Sequence, residues 1–129
     1  MHLARQAPIL AGTPGHPITI TAAPHRVRVT FAGRVVADTT RALSLMEASY
    51  APVMYIPRED VDLTTLERSD RKTHCRYKGE ASYYSIRTNH RNAQNAVWSY
   101  EQPLEAVAAI AGYMAFYRDR VDSLEQLPD

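Results

Sequence analysis

The sequence predicts a mostly-β fold, a largely antiparallel sandwich or partly open barrel with one short helix. Three observations predict it. Apolar and polar residues alternate with period two in several short stretches, turn-forming residues recur about every eight to twelve positions, and a single stretch reads as helical.

Residues 1–15 carry Pro8, Gly12, Pro14 and Gly15 with little periodicity, and read as a flexible or extended N-terminal arm. Residues 16–129 read as one domain. "HPITITAAPH" holds a short β-branched strand between two prolines, which suits a sheet edge. "RVRVTFAGRVVAD" is the clearest alternation: Val27, Val29 and Phe31 point one way, and Arg26, Arg28 and Thr30 the other. Gly33 then turns the chain into a return strand. "RALSLMEASY" has helical propensity, but Leu43, Leu45 and Glu47 alternate against Ala42, Ser44 and Met46. With strands on both sides and few residues to spare, it is read as a strand. "PVMYIP" is a strand stopped by Pro57, and "REDVDLTTLERSD" a loop with a helical turn that Asp60 or Asp62 caps. "KGEASYYSIRT" and "NAVWSYEQP" are strands separated by the turn cluster "NHRN", with Val97 and Trp98 on opposite faces. "PLEAVAAIAG" starts on Pro103, stops at Gly112 and is read as the helix, with Leu104, Val107, Ala108 and Ala111 as its buried stripe. "YMAFYRDRVDSL" is the last strand.

Composition narrows the function classes. A chain of 129 residues suits one domain. A formal net charge of +1 argues against a large nucleic-acid face, which needs a basic excess. One cysteine excludes an internal disulfide and multi-cysteine zinc sites, and the five histidines are scattered without ligand spacing, so no metal or cofactor is expected. No apolar run nears the roughly 18 residues of a membrane span, and the first apolar stretch is too short for a signal-peptide core. The expectation is a soluble, cytoplasmic monomer or homodimer that takes a small-molecule ligand and binds neither nucleic acid nor membrane.

The words "RVRVTFAGRVVADTTRAL", "YIPREDV", "THCRYKGEASYYSI", "NAVWSYEQP" and "AFYRDRVDS" occur in order and at a set spacing. Together they resemble the bacterial and fungal domain-of-unknown-function 427 family over roughly residues 16–124. The resemblance implies a small mostly-β domain of the β-tent kind, two antiparallel sheets splayed at an angle. Some members carry a nucleotidyltransferase label, yet this chain lacks that signature's Gly-Ser pair and spaced aspartates. Positions that match the family words include Glu47, Tyr55, Asp60, Cys75, Lys78, Gly79, Tyr83, Trp98, Tyr100 and Pro103. One position departs: Arg76 stands where the family word has proline, which frees the backbone and adds a cation near Cys75.

Four groups are candidates for chemistry. Cys75, three residues before Lys78, is a possible nucleophile, because a nearby cation favours the thiolate; the simpler use of a lone cysteine is as a small apolar filler. Lys78 beside Gly79 would hold a phosphate or carboxylate as a point charge, with glycine letting a ligand approach the backbone; the simpler reading is a solvated lysine at a turn. Tyr55, Tyr83, Trp98 and Tyr100 offer rigid aromatic area for a pocket, or ordinary core packing. Glu47 follows an apolar stretch where burial would raise its pKa, and Asp60 could join it as an acid–base pair or simply cap a turn. Three functions follow: a small-molecule binding domain, an enzyme using Cys75 or Lys78, or an interaction module presenting an edge strand.

Overall fold

The computed structural model describes residues 7–128. Its strands are Ile9–Thr13 (β1), His16–Ala22 (β2), Arg26–Phe31 (β3), Arg34–Thr39 (β4), Leu43–Glu47 (β5), Val53–Tyr55 (β6), Leu66–Cys75 (β7), Gly79–Arg87 (β8), Asn92–Ser99 (β9), Met114–Phe116 (β10) and Ser123–Leu127 (β11). They form three antiparallel sheets: a front sheet β1-β2-β5-β6, a central sheet β10-β9-β8-β7 and a rear sheet β11-β3-β4. The mostly-β class is as expected. The sheets number three because the hairpin β3–β4 captures β11 and stands apart from the other two.

Period-two alternation builds both cores. Val27, Val29 and Phe31 of β3 face the central sheet and pack with Ile86, Val97 and Phe116. On the opposite face of the central sheet, Ala81, Tyr83 and Ala115 pack with Ile18, Ile20 and Leu45 of the front sheet. The central sheet is thus covered on both sides, which explains why Ala81 through Ile86 are buried without a break. Front and central sheets are tied along one line, where Ile56 and Met114 exchange backbone hydrogen bonds of 2.8 Å each way. Away from that line a cavity opens between them.

Five local expectations change, the first being that "YMAFYRDRVDSL", read as one last strand, holds β10 and the start of β11, in different sheets and parted by a 3₁₀ turn at Arg118–Arg120. Ile9–Thr13 of the expected arm is a strand, paired with β2 from Ile9↔Ile20 to Thr13↔His16; residues 1–6 lie outside the described residues. Consequently β2 is an inner strand rather than an edge, and Pro17 sits opposite Gly12. The stretch from Leu66, read as loop, is the ten-residue strand β7, whose charged side chains mask its pairing with β8. The expected helix is a pair of 3₁₀ turns over Glu105–Ile110, broken at Val107; of the expected stripe Val107 is buried, joined by Ile110, while Leu104, Ala108 and Ala111 are exposed. The eight residues between Pro103 and Gly112 are too few for a stable α-helix.

The turns follow their residues more closely. Ala32 and Gly33 both take positive φ, 52° and 74°, the geometry that joins twisted strands through a two-residue turn. Asp62 caps the short turn at Leu63–Thr65 by accepting from the Thr64 amide at 3.1 Å.

Candidate functional site

The cavity between front and central sheets has a volume of about 250 Å³. Tyr55, Tyr83, Trp98, Tyr100 and Tyr117 line it, with Glu47 and Lys78 as its charged groups and Tyr50 at the rim.

Each side chain arrives by strand periodicity. Leu45 and Glu47 share one face of β5 and both line the cavity. Glu47 lies opposite Ile18 on β2, and His16, two residues from Ile18, shares that face. The carboxylate therefore meets the imidazole, with His16 Nε2 to Glu47 Oε2 at 2.7 Å. Tyr83 and Trp98 are directly paired across β8 and β9, which sends both toward the front sheet. The Trp98 indole N–H donates to the Tyr55 hydroxyl at 3.2 Å, and the two rings meet edge to face.

Lys78 comes from the turn between β7 and β8. Its amide donates to Cys75 O at 3.3 Å, and its carbonyl accepts from the Leu104 amide at 3.0 Å. Its side chain turns inward and ion-pairs with Glu47 Oε1, with the ammonium 5.7 Å from the Tyr100 ring centre. Burial alone would raise the Glu47 pKa, as the sequence suggested. Lys78 and His16 outweigh it, and the carboxyl lies below its ordinary value. Tyr77, next to Lys78, stacks on His16 at 4.1 Å, and the Arg76 guanidinium lies 5.2 Å from the Tyr77 ring. The arginine that replaces the family proline thus stacks on an aromatic ring.

Gly79 has φ of 108°, and a Cβ there would sit 3.3 Å from the Leu104 nitrogen. The close approach that glycine permits is made by the chain's own Pro103–Leu104 segment, not by a ligand. Gly79→Ala is expected to cost about 1–2 kcal/mol from the strained φ and the crowding, read as a lower urea midpoint at unchanged slope. An unchanged midpoint would show that the turn relaxes freely.

The tyrosines differ in their titration. Burial pushes Tyr55 and Tyr100 well above the ordinary phenol value. Tyr117 is pushed up to about 12, first by burial and then by its hydrogen bond to Tyr83. Tyr83 goes the other way: burial is outweighed by hydrogen bonds to Thr73 and Tyr117 and by Arg71, whose guanidinium lies 5.0 Å from the ring centre.

Of the residues singled out by sequence, Glu47, Tyr55, Lys78, Tyr83, Trp98 and Tyr100 converge on this cavity. Cys75 does not line it. The cysteine sits opposite Gly79 at the end of β7, half-buried against the front core. Asp60 is also elsewhere, accepting from Thr39 Oγ1 at 2.7 Å and from Arg41 at 3.1 Å, so it makes no pair with Glu47. Sequence reading missed His16, Tyr117 and Tyr50. His16 and Glu47 are 31 residues apart, and only the pairing of β2 with β5 brings them together.

A second polar cluster lies on the opposite face of the central sheet. Glu101 accepts from Arg68 at 2.9 and 3.1 Å, from Arg58 at 3.1 Å and from the Tyr84 hydroxyl at 2.5 Å. Arg68 also reaches Ser82 Oγ at 3.0 Å. These groups are spent on one another, which suits a strut that fixes β7 to the end of β9.

Among the described residues no group of His, Cys, Asp or Glu is placed to hold a metal ion. No described helix is long and apolar enough to cross a membrane. A family model described as a domain of unknown function (DUF427) matches residues 19–126. No curated protein matches the chain.

Proposed function

The chain belongs to the DUF427 family, and from its geometry we propose that it is a small-molecule binding domain whose ligand lies between the front and central sheets. The observation that carries this reading is the cavity itself. Rigid aromatic side chains line it, and an ion pair between buried Lys78 and partly buried Glu47 supplies its polar end. Apolar walls with a few placed polar groups are the usual form of a small-ligand site. The thiol-enzyme reading finds no such support, because Cys75 lies outside the lining. The phosphate-transfer reading lacks a second cation there: among the described residues Lys78 is the only basic one on the cavity wall, and Glu47 already neutralises it.

The test is a fragment set of neutral, anionic and cationic small molecules titrated into the ¹⁵N-labelled protein. The expected result is saturable movement of the Trp98 indole N–H and the Lys78 amide by at least one class. Responses confined to other surfaces, or none across the whole set, would remove the binding-domain reading.

A further inference from the structure

Lys78 is where the cavity leaves hydrogen-bonding capacity unspent. An ammonium carries three N–H donors. Among the described residues, Glu47 is the hydrogen-bond partner recorded for its Nζ. Lys78 is only 7% exposed, so bulk water does little to satisfy the rest. Glu47 is also incompletely used. One carboxylate oxygen takes Lys78 and the other takes His16, and each oxygen retains a second lone pair. The polar end of the cavity therefore offers a donor and an acceptor side by side, with opposite charges that cancel.

We infer that the cavity takes a neutral planar ring bearing an adjacent C=O and N–H, a cyclic amide or imide, with the carbonyl accepting from Lys78 and the ring N–H donating to Glu47. This rests on the cavity being a ligand site. The aromatic walls select the flat body, because Trp98 and the tyrosines offer faces and edges for stacking. Charge selects against the alternatives. A carboxylate or phosphate gains Lys78 but meets the Glu47 carboxylate, and among the described residues no second cation lines the wall. An alkylammonium suits aromatic faces and Glu47, but the Lys78 ammonium already occupies that end beside Tyr100. A neutral cyclic amide makes both bonds and carries no net charge to strip of water.

The probes are 2-pyridone, N-methyl-2-pyridone, benzoate, tetramethylammonium and inorganic phosphate, each titrated into the full chain while the Trp98 indole N–H is followed. 2-Pyridone should move that resonance saturably. N-methyl-2-pyridone, which keeps the ring and carbonyl but lacks the N–H, should bind about tenfold more weakly or worse. Lys78→Met should weaken 2-pyridone by about tenfold or more; where that variant does not fold, the two pyridones on the native chain decide. Equal affinity for the two pyridones, or tighter binding of benzoate, tetramethylammonium or phosphate, overturns the ligand class while leaving the site intact. No response to 2-pyridone likewise overturns the class. The site itself falls only if the wider fragment set also leaves Trp98 unmoved.

Discussion

Lys78→Met is expected to lower the unfolding free energy by about 3 kcal/mol, near the lower end of what removing one partner of a buried ion pair costs. Methionine keeps most of the aliphatic stem, so the loss comes from charge and not from a cavity. What remains is a Glu47 carboxylate with 18% side-chain exposure, held by His16 alone at 2.7 Å. That remaining partner is why the cost falls near 3 and not at about 5 kcal/mol. The Lys78→Met/Glu47→Leu double variant is expected to regain at least half of the loss, because the uncompensated buried charge is gone. Urea unfolding of the native chain, both single variants and the double variant closes the cycle. A single variant as stable as the native chain would show the pair to be solvated in solution.

The same variant has a titration signature. Glu47 now titrates below its ordinary value because Lys78 and His16 outweigh burial. The pair's contribution is therefore complete above the ordinary carboxyl pKa and is lost as pH falls through the lower folded value. Without Lys78 the burial effect has less to oppose it, so the Glu47 carboxyl should move upward in a ¹³C carboxyl titration.

Much of this arrangement is legible in the sequence, for a physical reason. Strand alternation is a local signal, so Val27, Val29 and Phe31 declare one face and Leu45 and Glu47 another before any partner is known. The same rule correctly separates Trp98 from Val97, and so places Trp98 on the cavity side. What alternation cannot show is which strands are neighbours. The contact between His16 and Glu47 depends on the register of β2 against β5, and Tyr117 reaches Trp98 from beyond β10. Nor does alternation survive where both faces carry charges, which is why the start of β7 reads as loop from Glu67 to Asp70. Cys75 misleads for the opposite reason. Its neighbours in sequence suggest a reactive site, but a turn sends the Lys78 side chain into the cavity while the cysteine packs beside it against the core.

Glu101 should dominate the acid limb of the stability curve. Its hydrogen bonds from Arg68, opposed by burial and joined by the Tyr84 hydroxyl, hold the carboxyl at about 2 against an ordinary 4.5. The folded pKa is thus the lower one. Its stabilising contribution is complete above pH 4.5 and disappears as pH falls from there through about 2. That interval is worth on the order of 3 kcal/mol at full strength. Arg68 is 51% exposed, and solvent and salt screen its share, so about 2 kcal/mol is the expected figure. Glu101→Gln keeps the shape and removes the charge. It should cost about 2 kcal/mol at pH 7 and flatten the fall in stability between pH 4.5 and 2. Glu47 titrates in the same direction, so a shallower slope should remain in the variant. Asp38, Asp62 and Asp122 are held low as well and add to that remaining slope, so urea midpoints measured across the pH range isolate the Glu101 share as the difference between the two curves. If native and Glu101→Gln curves run parallel, the two arginines and Tyr84 do not hold this carboxylate in solution, and the strut between β7 and β9 must draw its strength from the backbone ladder alone.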